Sequence, residues 1–248
     1  MRVNKILFIA TSNSSIGTTT GKTGVWLEEL ATPYYIFREA GADISIASPL
    51  GGKVPLDPKG QSIIVATRRT KRFLQDRQAM DFIADSGTFE KIEINTFDAV
   101  FLPGGHGCLW DLTNNVLLKM LLEGFIFQHK PMALQSQAVA SMLTLQNPDG
   151  GLWIKDKRVT AFSNSEEKST GLASVVPLLI ENELISVGAL YSKCEDYASY
   201  VVVDGNIITG QNPASAEAVA KQTLAQLQRN EYFSVVKREQ LINKSSSL

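Results

Sequence analysis

The sequence predicts an α/β fold with a mostly parallel sheet, helices on both faces and a late β-hairpin, and three observations carry this. Short β-rich apolar runs alternate with helical stretches along most of the chain. Gly-, Ser- and Thr-rich turns punctuate that alternation. The 248 residues, 44% hydrophobic and 20% charged, can also fill one sizeable core. Alternation points to a parallel sheet because a parallel neighbour is reached only through a long crossover, usually a right-handed helix.

The elements follow in order. "KILFIA" is a first strand, and "TSNSSIGTTTGKTG" after it has too little apolar surface for anything but a loop at the strand's carboxyl end. "GVWLEELATPYYIFREAG" sets Trp26, Leu30, Tyr34 and Phe37 at helical spacing, with Thr23 as candidate cap and Gly41 as stop. "DISIASP" is a second strand, "RTKRFLQDRQAMDFIADSG" is helical, and "DAVFLPGG" is a third strand. The helix "NNVLLKMLLEGFIF", the strand "PMAL" and the helix "QAVASMLTL" continue the pattern. In "SYVVVDGNIITG", Asp204 and Gly205 separate two β-rich runs, which signals a hairpin. "NPASAEAVAKQTLAQLQ" is a last helix, with Asn212 at its cap and Pro213 in its first turn. Without a repeat, linker or composition break, residues 1–230 read as one domain and 231–248 as a C-terminal extension or tail, whose end "NKSSSL" is expected to fray.

Twenty-four basic and 25 acidic residues give a net charge of −1, so nothing provides the basic footprint that nucleic acid or an anionic membrane requires. Small-molecule or protein partners are favoured. Cys108 and Cys194 lie far apart, which disfavours a disulfide framework, and two scattered histidines add no zinc spacing. No metal or cofactor is expected. "MRVNKILFIATSN" lacks a small-residue cleavage pattern and no stretch is long enough to span a bilayer, so the expected location is the cytoplasm.

Open parallel sheets place ligands beyond the carboxyl ends of their strands. Three such ends stand out. In "PGGHG", Gly104 and Gly105 would let a ligand approach backbone N–H groups, although glycine pairs also end many strands as bare turns. In "KPMALQSQAVASM", a strand, a sharp turn at Ser136 and an immediate helix form a nucleophile elbow, presenting a side chain at a helix N-terminus. In "TAFSNSEE", a strand breaks into a polar, acidic turn. At about 100° per residue, Glu29 lies roughly 60° from Trp26 and 40° from Pro33, at the edge of the apolar stripe, so it faces inward while Glu28 points away. A carboxylate at such a margin ordinarily reaches solvent instead.

Together, "TGVWLEELATPYYIFREAGADISIASPLGGKVPLDP", "DAVFLPGGHGCLWDL", "KPMALQSQAVASML", "VTAFSNSEE" and "VVVDGNIITGQNPASAEAVA" resemble the ThiJ/PfpI superfamily, and within it the branch of glutathione-independent glyoxalases (glyoxalase III) and heat-inducible chaperones. The resemblance implies a flavodoxin-like α/β sandwich, a homodimer, an elbow cysteine followed by a histidine, and two acidic residues nearby. By position, the helix acid is Glu29, the second acid is Glu167, and the oxyanion donors are the backbone N–H groups of Gly105 and of the residue after the elbow. The elbow itself is Ser136, and Gln137 stands where the histidine is implied.

That departure shapes the functional expectation. A thiol of ordinary pKa about 8.5 becomes a thiolate at a helix N-terminus, whereas an alcohol needs an adjacent base, and Gln137 cannot move a proton at neutral pH. His106 is the histidine in the right neighbourhood. His129, before a strand, is expected at the sheet's opposite end, and Cys108 is either a displaced thiol or small packing. Three readings follow. The first is a glyoxalase acting on a small aldehyde such as methylglyoxal; the second is a degenerate member that binds a small ligand or acts in stress protection. The third is a hydrolase built on Ser136 with Glu29 or Glu167 as base. The second is favoured, and a Glu29 to Ser136 hydrogen bond is expected, because a buried carboxylate needs a donor.

Overall fold

The computed structural model describes the backbone of residues 3–245 and the side chains of residues 3–233. In chain order the strands are β1 (Lys5–Ile9), β2 (Asp43–Ala47), β3 (Ala99–Leu102), β4 (Met132–Gln135), β5 (Arg158–Val159), β6 (Leu190–Tyr191), β7 (Val201–Asp204) and β8 (Ile207–Gly210). The helices are α1 (Leu27–Glu39), α2 (Arg68–Gln75), α3 (Arg77–Ala84), α4 (Cys108–Asp111), α5 (Val116–Phe127), α6 (Asn164–Thr170), α7 (Ile180–Ser186) and α8 (Ala216–Ser245).

Six strands form the main sheet in the order β2-β1-β3-β4-β8-β7. All neighbours are parallel except β7 and β8, the antiparallel hairpin that Asp204 and Gly205 signal. A separate two-stranded parallel sheet joins β5 to β6. Successive side chains of a strand point to opposite faces, and β1 divides accordingly. Ile6 and Phe8 enter the layer under α1, α2, α3 and α8, while Leu7 and Ile9 enter the layer under α4, α5 and α7. Phe8 anchors the first layer through Phe37 at 5.7 Å and Phe101 at 5.0 Å between ring centroids. The sequence-predicted fold class therefore holds: a mostly parallel sheet with helices on both faces and a late hairpin.

Several local expectations are corrected. The stretch 69–87 is two helices, because Asp76 breaks the first and caps the second, its Oδ1 accepting from Gln78 N at 2.9 Å and Ala79 N at 3.3 Å. Thr23 does not cap α1; its hydroxyl donates to Asp57 Oδ2 at 2.9 Å, and α1 begins after Trp26 without a side-chain cap. The helix after the elbow is a 3₁₀ helix, Ser136–Met142. Asn212 precedes a 3₁₀ turn, Pro213–Ser215, and its amide donates to Glu166 and the Ala198 carbonyl instead of capping. The acidic turn in "TAFSNSEE" is the start of α6, where Ser163 and Glu166 form a reciprocal capping box. Separately, α8 spans position 230 and runs to Ser245, and the rest of the expected tail "NKSSSL" lies outside the described residues.

Candidate active site

The carboxyl ends of β3 and β4 meet the amino end of α1. Gln135 is still extended, at φ −122° and ψ 145°, and the next residue, Ser136, has φ 48° as the first residue of the 3₁₀ helix. A side chain in this left-handed region costs on the order of 1–3 kcal/mol, so the surroundings must hold the turn. They do so through Glu29. It is the third residue of α1, a helix buried on most of its circumference, and its Oε1 accepts from Ser136 Oγ at 2.5 Å. Its Oε2 accepts from Gly104 N at 2.8 Å. Burial pushes the Glu29 carboxyl up to about 7, against the lowering pull of its hydrogen bonds from Ser136 and Gly104. The inward placement read from the helical wheel is therefore what the structure has.

The glycine pair is required by close packing. A Cβ on Gly104 would lie 2.5 Å from Glu29 Oε2 and 2.8 Å from Ser136 Cβ. One on Gly105, at φ 131°, would lie 2.2 Å from the Gly24 carbonyl oxygen. The loop entering α1 thus presses on the loop leaving β3, and Trp26 N donates to Gly104 O at 2.9 Å. The sequence suggests exposed N–H groups here, but the structure satisfies both internally, as buried amides require. Gly104 N–H goes to Glu29, and Gly105 N–H goes to the side-chain oxygen of Gln137 at 3.2 Å.

A second pair lies beside the first. His106 Nε2 and Glu167 Oε1 are 2.8 Å apart and buried, and Glu167 Oε1 also accepts from Thr170 Oγ1 at 3.1 Å. The hydrogen bonds of Glu167 thus go to His106 and Thr170, not to the elbow. Ser136, Gln137, Glu29, His106 and Glu167 are all between 1% and 6% exposed. Cys108 is buried with its thiol aimed at the Pro103 carbonyl, 3.6 Å away, and burial raises its pKa well above the ordinary value, so it packs as a neutral thiol. His129 stands exposed before β4, at the far end of the sheet from the elbow.

Two further residues shape the region without a sequence signal. Asp111, on α4, holds the loop after β1 by accepting from Thr11 Oγ1 at 2.6 Å, Ser12 N at 2.7 Å and Asn13 N at 3.0 Å. Its partners are about 100 residues away in the chain, although an Asn- and Ser-rich loop with open N–H groups does ask for an acceptor. Gln135, fully buried under the elbow, donates to the Glu29 carbonyl at 3.2 Å. Among the described residues no three His, Cys, Asp or Glu side chains gather as a metal site, and no helix is long and apolar enough to cross a membrane.

A buried side chain held at a left-handed turn between a parallel strand and a helical turn is the architecture of α/β proteins organised around a nucleophile elbow. The chain belongs to one family with that architecture, the DJ-1/PfpI family, whose model matches residues 22–226. It is 26% identical to the glutathione-independent glyoxalase hsp3101 of Schizosaccharomyces pombe, over 89% of this chain and 94% of that protein. It is also 26% identical to glyoxalase 3 of Candida albicans, over 91% and 99%. Among solved structures, the Rapid Encystment Protein 24 kDa of Francisella tularensis superposes with a TM-score of 0.86 at 34% identity, covering 91% of this chain and 99% of that one. Glyoxalase III of Candida albicans superposes with a TM-score of 0.83 at 25% identity, over 90% and 97%.

Proposed function

We propose that this protein is a member of the glyoxalase III-like branch that has given up conversion of methylglyoxal and keeps the pocket as a neutral polar site for a small carbonyl ligand. The observation that carries this reading is the contact of Gln137 with Gly105. An amide oxygen of the chain occupies the N–H that the resemblance assigns to a developing oxyanion, so that donor already has a partner. The neighbouring Ser136 supplies a hydroxyl where thiol chemistry needs a thiolate, and Gln137 supplies no base. Ser136, Gln137 and the backbone of Gly105 remain a set of neutral hydrogen-bonding groups, which a small carbonyl compound engages by displacing the contacts they make with Glu29 and with each other.

The test is direct. Purified protein incubated with methylglyoxal should form lactate no faster than buffer, and Ser136→Cys combined with Gln137→His should produce measurable turnover. Robust lactate formation by the unaltered chain, lost in Ser136→Ala, would overturn the reading.

A further inference from the structure

At the end of the sheet opposite the elbow a cavity of about 370 Å³ opens to solvent. We propose that it binds a small aromatic carboxylate, with the ring laid against apolar side chains and the charge on Lys157. The cavity shares no residue with the elbow, since it lies at the amino end of β4 and Ser136 follows the carboxyl end.

The cavity forms where α5, the start of β4, the segment before β5 and the β7–β8 turn come together. Its floor is apolar. Met132 on β4 and Ile207 on β8 are paired across the sheet and buried, and half-buried Ile126 and Trp153 pack against the same core. Small-molecule pockets span roughly 300–1,000 Å³ and set a few polar groups around a mostly apolar wall. With an indole in that wall, a flat unsaturated body fits best.

The sign of the ligand's charge follows from which groups at the mouth already have partners. Asp204 is engaged: its Oδ2 accepts from Arg158 N at 2.8 Å and lies 3.9 Å from Arg158 Nε. Lys130 is engaged too, donating to the Ile94 carbonyl at 2.8 Å. Lys157 differs. Its ammonium stands 5.7 Å from the centre of the Trp153 ring and has no carboxylate partner among the described residues. A half-buried ammonium beside an aromatic face joins an anion receptor to a stacking platform. The His129 ring lines the same mouth and makes no hydrogen bond among the described residues, so it offers the carboxylate a further N–H.

The mouth is also fixed in advance. His129, just past α5, has φ 52°, and its carbonyl accepts from Asn206 Nδ2 at 2.6 Å. Asn206 Oδ1 in turn accepts from Gln226 Nε2 of α8 at 2.8 Å. The left-handed residue is thus clamped by the hairpin turn and the last helix, which leaves little ordering to be done on binding.

Isothermal titration calorimetry of the full chain with cinnamate tests the proposal, and cinnamamide serves as an uncharged ligand of nearly the same shape. Cinnamate should bind one molecule per chain, and cinnamamide about tenfold or more weakly. Lys157→Met keeps an apolar stem, so it should lower the affinity for cinnamate about tenfold or more and leave that for cinnamamide unchanged. Trp153→Leu should weaken both ligands. Far-ultraviolet circular dichroism shows that each variant is folded. No cinnamate binding at millimolar concentration, equal affinity for acid and amide, or undiminished cinnamate binding in either folded variant would overturn the proposal.

Discussion

Ser136 Oγ and Glu29 Oε1 lie 2.5 Å apart with neither side chain reaching solvent, so the elbow and the helix acid form one unit. Two mutually costly features are joined in it: a left-handed serine and a desolvated carboxyl. Each is held by the other, since Ser136 gives the carboxyl a donor and Glu29 fixes the hydroxyl of the strained residue.

The stability of the protein should fall as pH rises through neutrality on account of Glu29. Its carboxyl stands near 4.5 when exposed and about 7 when folded, so between those values the folded chain binds more protons than the unfolded one. Stability from this group is therefore fully present below about pH 4.5 and is lost as pH climbs to about 7, by on the order of 3 kcal/mol. Urea unfolding at about pH 5 and pH 8 should show the loss in the unaltered chain and a clearly smaller one in Glu29→Gln. Equal slopes in the two proteins would refute it.

Gly105→Ala should destabilise the chain by about 3 kcal/mol or more, with a matching fall in Tm. The new Cβ would meet the Gly24 carbonyl at 2.2 Å and Trp26 N at 2.7 Å, and both are backbone atoms that cannot rotate aside. The residue would also have to hold φ 131°. A loss below about 1 kcal/mol in thermal unfolding would show that the two loops are free to separate.

Much of the fold and part of the site were legible in the sequence, for reasons these residues illustrate. Strands β1, β3 and β4 are buried apolar runs bounded by turn signals, and the 3.6-residue period of α1 turned Glu29 inward, toward the Ser136 hydroxyl expected as its donor. Asp204-Gly205 announced the hairpin by turn chemistry alone. What stayed hidden depended on contacts across the chain. Gly104 and Gly105 read as an open donor pair, yet Glu29 and Gln137 fill it from 75 and 32 residues away. Glu167, an acid the resemblance places near the elbow, makes its side-chain hydrogen bonds with His106, 61 residues away, and with Thr170. The whole stretch from Arg69 to Gly87 read as helical, so the break at Asp76, between buried Phe73 and buried Ala79, stayed hidden.

That break supplies a further expectation. Asp76 accepts from the first free N–H groups of α3 and from the Tyr35 hydroxyl at 3.0 Å, joining α3 to α1. Asp76→Ala should cost about 1 kcal/mol from the cap, whereas Asp76→Asn, which keeps an acceptor oxygen, should cost less. Denaturant midpoints at constant m-value measure both. If the two substitutions are equivalent, the cap is not what stabilises the second helix.

His106 and Glu167 should prove unequal in the same kind of experiment. Their contact is 2.8 Å and buried, and without the imidazole Glu167 would keep only the Thr170 hydroxyl at 3.1 Å as a side-chain donor. His106→Ala should thus lose about 1–3 kcal/mol, since a buried carboxylate is left short of a donor. Glu167→Gln replaces the charge by a neutral amide that still bonds either imidazole tautomer, so its loss should be smaller. Chemical unfolding at neutral pH compares them. A larger loss for Glu167→Gln than for His106→Ala would mean that the imidazole depends on the negative charge of the carboxylate, and that the pair is stabilised as ions rather than by the hydrogen bond.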